Sequence, residues 1–209
     1  GISFDDNYAD IGEGVGKIFC ISRYPSELDY GWLADIVNLP GTAATVEYRY
    51  SPEDIMITQF NRRISELKSA RETERKESEI QRDEHKIEDL KKLINRISVK
   101  REPVGFFNIM LHIQDANEEL LAKRIRNINS RVRIHECDLQ FLKFKQRQAL
   151  ESMSPWGIPN AMVYNVGERN MPMSTFVGGF PMAAAGLNDK DGYVIGEARN
   201  RMVVMWNMW

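Results

Sequence analysis

The sequence predicts a mixed α/β (α+β) domain: two strand–helix–strand units forming one layered sheet, with a long helical hairpin inserted between them. Three observations carry this expectation. Apolar, β-rich runs recur with helical periodicity between them. A stretch without glycine or proline, Glu53 to Glu102, lies between two of those runs. Its apolar residues (Ile57, Phe60, Ile64 and Leu67, then Ile80, Ile87, Leu90, Ile94 and Ile97) keep a three/four spacing on either side of a wholly polar middle, Arg71 to Glu79.

Taken in order, residues 1–14 are acidic and glycine-bearing and read as a loosely held lead-in. Lys17 to Tyr24 is a β-rich run closed by Pro25. Ser26 can cap a helix with Glu27 and Asp29 in its first turn, and Trp32, Leu33, Ile36 and Val37 give it an apolar face. Asn38 to Gly41 ends that helix, and Thr45 to Tyr50 alternates like a half-buried strand. Ser51-Pro52-Glu53-Asp54 is a strong helix start, with an N-cap, a first-position proline and two acids on the dipole.

A single helix from Glu53 to Ser98 would be roughly 70 Å long at ~1.5 Å per residue. The radius of gyration expected for a domain of this size is only about 16–17 Å. The segment must therefore fold back as two helices, 53–72 and 79–98 with a tip near 74–78, or project as one continuous arm. Arg71, Glu74, Arg75, Lys76 and Glu79 form a candidate partner surface, although the same charges suit an ordinary solvated helix pair.

Beyond Pro103, Val104 to Ile113 is a strand, and Asp115 caps a helix running to about Arg131. Val132 to Leu139 reads as a fourth strand, and Phe141 to Met153 as a helix stopped by Ser154-Pro155. Helices are expected on one sheet face, with right-handed crossovers where the joined strands are parallel. Residues 155–186 read as an irregular connector. A turn at 188–192 leads into Tyr193 to Gly196, paired across Glu197 to Asn200 with the final apolar run. The expected division is a domain at 1–154, with its insertion at about 53–98, and a connector with β-hairpin at 155–209. Gly1 in place of an initiator Met, and an apolar run at the other end, read as a fragment of something longer.

Composition narrows the function classes. An apolar share of 43% suits a globular domain, and a net charge of −2 argues against a strongly basic nucleic-acid binder. The two cysteines, Cys20 and Cys137, lie in strand-like runs and read as buried, reduced thiols. No segment approaches the ~20 apolar residues of a transmembrane helix.

Motifs with chemistry fare poorly. Gly12-Glu-Gly-Val-Gly-Lys17 lacks the spacing, the hydroxyl residue after lysine and the strand-to-helix setting of a phosphate loop. Asp189-Lys-Asp-Gly192 lacks the later carboxylates of a calcium loop. His85, His112 and His135 share no metal-ligand spacing, and no nucleophile has a base at a recognisable offset. No catalytic, cofactor or metal residue is assigned. Ile18 to Ile21 and Val104 to Ile109 echo the aromatic strand motifs of RNA-recognition folds, so a single-stranded nucleic-acid-binding domain is the alternative reading.

Three local signatures, in order, resemble the N-terminal domain of the VirB-four-type (TrbE and CagE group) ATPases of type IV secretion and conjugation. The first is Tyr24-Pro25, then Trp32-Leu33, then Ser51-Pro52. The second is Val104-Gly105-Phe106-Phe107 after the helical insertion, followed by Asp115 to Leu121. The third is Phe180-Pro181 with Leu187 to Gly192 and Gly196. The likeness spans about Lys17 to Trp209. It departs where Met182 stands in place of the family's usual Phe, and no Walker loop occurs. It implies a non-catalytic docking or oligomerising domain at the cytoplasmic face of the inner membrane, with channel components and copies of itself as partners. ATP and Mg are expected only in a C-terminal ATPase domain beyond this sequence.

Overall fold

The computed structural model describes residues 1–12, 14–25, 28–73, 77–179, 191–197 and 203–207. Chain order runs β1 (Ile2–Phe4), β2 (Ala9–Ile11), β3 (Val15–Arg23), α1 (Ala34–Val37), β4 (Thr42–Tyr50), α2 (Glu53–Thr73) and α3 (Glu77–Ser98). It continues β5 (Val104–Asp115), α4 (Glu118–Ile134), β6 (Asp138–Phe141), α5 (Gln146–Met153), α6 (Ala161–Gly167), β7 (Arg169–Pro172), α7 (Met173–Gly178), β8 (Tyr193–Glu197) and β9 (Val203–Trp206). The mixed α/β class and the inserted hairpin stand as expected.

The central sheet has the order β4-β5-β3-β6, and β7 extends the β3 side of β5. Every neighbouring pair is antiparallel. β3 and β4 therefore run parallel to each other with β5 between them, and β5 and β6 do so across β3. Each strand–helix–strand unit straddles a strand of the other, which is the split β-α-β arrangement of ferredoxin-like folds. Interleaving gives β5 a partner along both edges and makes it the most buried strand.

The two sheet faces carry separate cores because side chains alternate along a strand. Odd-numbered residues of β5 (Phe107, Ile109, Leu111, Ile113) pack with Trp32, Leu33 and Ile36, and with Leu121, Ile128 and Val132 of α4. On the even face, Ile18, Cys20 and Met110 meet Ala149 of α5 and Val163 of α6. Helices thus cover both faces, where the sequence suggested one. Arg124 locks α4 to the sheet by pairing with Asp115 at 2.7 Å while donating to the Pro40 carbonyl.

Several expected boundaries shift, each for a local reason. The helix expected from Ser26 shrinks to α1, because Gly31 takes φ +76 and breaks the run; Ser26 and Glu27 lie outside the described residues. Asn117, and not Asp115, caps α4, its side chain accepting from the Leu120 N–H at 3.0 Å. Val132 to Ile134 remain helical, and Glu136 at φ +54 turns the chain into β6. Phe144 at φ +61 likewise delays α5 to Gln146. The lead-in is a β1–β2 hairpin, turned by Asp5, whose carboxylate accepts from the Asn7 and Tyr8 N–H groups. The expected connector instead contributes α6, β7 and α7 to the packed unit, with Val163 and Met171 buried. β8 and β9 form the anticipated terminal hairpin.

Candidate partner surface

The insertion is a pair of antiparallel helices, α2 and α3, within a residue or two of the expected ends. Ser51 and Pro52 lead into it, and the Met56 N–H donates to the Pro52 carbonyl, closing the first turn. At its base, Met56, Phe60 and Ile97 pack on Val104, with Phe106 against them. This contact anchors the pair to β5. Farther out, Ile64 and Leu67 of α2 meet Ile87 of α3, so the distal core is made by the two helices themselves. α2 is about 30 Å long at ~1.5 Å per residue, enough for its outer half to stand clear of the sheet.

The named candidate residues sit at the distal end. Arg71 is exposed and donates to Glu84 across the pair at 2.9 Å. Glu79 lies in the first turn of α3 and is half-buried. Glu74, Arg75 and Lys76 lie outside the described residues. The flanks carry close-spaced ion pairs, including Arg62–Glu66 at 3.1 Å and Lys86–Asp83 at 2.8 Å. Hydrogen bonds from Arg63 and Arg62 hold the Glu66 carboxyl below its ordinary range. Such pairs stabilise exposed helices by about 0.2–0.5 kcal/mol each.

A cleft of about 510 Å³ opens where the base of α3 meets the end of β3 and β7. Arg23, Lys92, Arg96 and Arg169 line it. Carboxylates hold three of these cations: Asp138 for Arg23 at 2.7 Å, Glu88 for Lys92 at 3.3 Å and Glu102 for Arg96 at 3.6 Å. None of the described residues lining the cleft is a nucleophile positioned by a base. Among the described residues, no group of three or more His, Cys, Asp or Glu side chains could hold a metal ion.

The aromatic strand residues face inward. Phe107 is fully buried, 5.5 Å from the ring of Tyr24, and Phe19 is buried 5.2 Å from Phe141. Phe106 is half-exposed, and the Arg49 guanidinium covers its ring at 4.6 Å. Both thiols are free and buried, as expected; burial pushes Cys20 up to about 11 and Cys137 to about 12. His112 is structural, its Nε2 lying 2.7 Å from the Ala9 carbonyl oxygen. Sequence reasoning missed the cationic cleft, whose residues come from β3, α3 and β7 and share no local spacing. It also passed over Asn108, a lone amide in the apolar run Val104 to Ile113.

No protein-family model matches the chain. It is similar to a Bacillus anthracis protein named as uncharacterized protein pXO2-09, at 23% identity over 202 residues. The match takes in 94% of this chain and 31% of that relative. The chain thus spans about a third of the length of the curated relative it matches.

Proposed function

We propose that this chain is a non-catalytic docking domain of a type IV secretion or conjugative-transfer motor ATPase. It seats or oligomerises the motor on inner-membrane channel components from the cytoplasmic side. The observation that carries the proposal is the α2–α3 arm: packed on β5 at its base, closed farther out by its own apolar seam and charged along its flanks. Such a lever reaches a partner without disturbing the sheet. The order of signatures named above supports the reading, as does a relative in which the matched segment is one part of a much longer chain.

No helix among the described residues is long and apolar enough to cross a membrane. The test is co-fractionation of the full-length protein with inner-membrane channel components, with and without residues 54–97 replaced by a short linker. Loss of co-fractionation on removal of the arm, with the sheet domain still folded, is the expected result. Unchanged co-fractionation overturns the assignment of docking to the arm.

A further inference from the structure

Opposite the β3 side of the sheet, a groove of about 850 Å³ runs between β4 and α6. Glu47 and Arg49 of β4, Phe106 and Asn108 of β5, Tyr164 of α6 and Glu168 just after it line the groove. Asn108 is 2% exposed, and neither its Oδ1 nor its Nδ2 has a hydrogen-bond partner among the described residues. Tyr24, Trp32 and Thr42 each carry one buried polar atom without a partner among the described residues; Asn108 carries two, and it lines the groove. Gln146 accepts from the Ile18 N–H at 2.8 Å and donates to the carbonyls of Ile18 and Leu142 at 3.1 and 2.8 Å. An amide left buried with both its donor and its acceptor idle costs stability, and such a group calls for a functional account.

A second, independent observation concerns the strand that borders the groove. β4 is the outermost strand, and among the described residues its far edge pairs with no other strand. It is nine residues long, and its first five, Thr42 to Val46, carry no charge, proline or bulge. Edge strands are normally guarded by such devices against pairing with another chain. The charges along the groove are asymmetric. Arg49 is held by Glu168 at 2.7 Å, which bridges β4 to the end of α6. Glu47 is the carboxylate left over, so the groove carries one net negative charge.

We infer that the groove takes an extended peptide segment of a partner protein bearing a basic side chain. Main-chain groups of the peptide pair along the free edge of β4, and its side chains lie across the β4 face into the groove, where Glu47 receives the cation and the Asn108 amide, one strand farther in, takes a polar side-chain partner. This is recognition by strand addition, in which ladder bonds give affinity and side-chain contacts give specificity. It does not depend on the secretion-motor reading.

The probe is a phage-displayed library of random decapeptides, panned on the whole chain and then on two variants. Enrichment is expected for extended, β-prone peptides with a Lys or Arg at one position. Asn108→Leu, which matches the amide in size and removes its idle polar atoms, should raise the melting temperature while reducing capture at least tenfold. Glu47→Lys should leave the melting temperature close to that of the parent and shift the selected residue from basic to acidic. Failure to enrich any peptide overturns the inference. So does equal capture by Asn108→Leu, a fall in its melting temperature, or a selected charge that Glu47→Lys does not move. Asn108-dependent binding of a single-stranded oligonucleotide in place of peptides would also overturn it.

Discussion

Phe106 and Phe107 are neighbours in sequence with opposite surroundings, because alternation sends one to each face of β5. Phe107 fills the core with Tyr24, Trp32 and Phe176 around it. Phe107→Ala should destabilise the domain by about 3–5 kcal/mol in chemical denaturation, and Phe106→Ala by clearly less. Gln146→Met should cost about 1–3 kcal/mol, since it strands the Ile18 N–H inside the sheet, while the Ile18 carbonyl keeps the Leu142 N–H at 3.2 Å. The thiols make a separate prediction about pH. Each is raised above its ordinary value of 9.0, to about 11 for Cys20 and about 12 for Cys137, by burial. The unfolded chain therefore releases these protons first, and the stability they contribute is present below pH 9 and lost as pH rises through about 11–12. Cys20→Ala with Cys137→Ala should flatten the alkaline limb of the stability profile, whatever it does at neutral pH.

The arm is the element that the sequence announces most plainly. Its limits were legible because nothing between Glu53 and Glu102 competes with helix, and the apolar spacing lapses where the helices separate. Cysteines placed at Leu67 and Ile87 should form a disulfide within one chain under mild oxidation, since the two residues share a buried seam. A crosslink only between chains would mean that the pair opens in solution. Elsewhere, local signals misled where a single backbone conformation outweighed a pattern. Gly31, Glu136 and Phe144 each take positive φ and move a helix or strand end by several residues. α6, β7 and α7 were illegible for another reason. They are short, and Met171 is buried through pairing with β5, a partner some sixty residues away in sequence. The interleaved strand order was equally hidden, because each strand–helix–strand unit looks complete by itself.

At the scale of the whole molecule, an antiparallel sheet with both faces covered serves as a rigid mount for three surfaces: the arm, the cationic cleft at its base and the β4 edge. No nucleotide site is assigned to any of them, so the chain by itself should show no melting shift at low-millimolar ATP. A ligand at a hundredfold excess over its dissociation constant would stabilise by about 2.7 kcal/mol, which a thermal scan resolves. The distal arm is proposed to touch a component of the membrane channel. The most direct test of that contact is photo-crosslinking in cells that express the full-length protein, with a photoreactive amino acid placed in turn at Arg71 and Glu79. Adducts with an inner-membrane channel component from both positions, absent when the same probe sits at the fully buried Phe107, are the predicted result. Adducts confined to nucleic acid, or none from either position, would contradict the account.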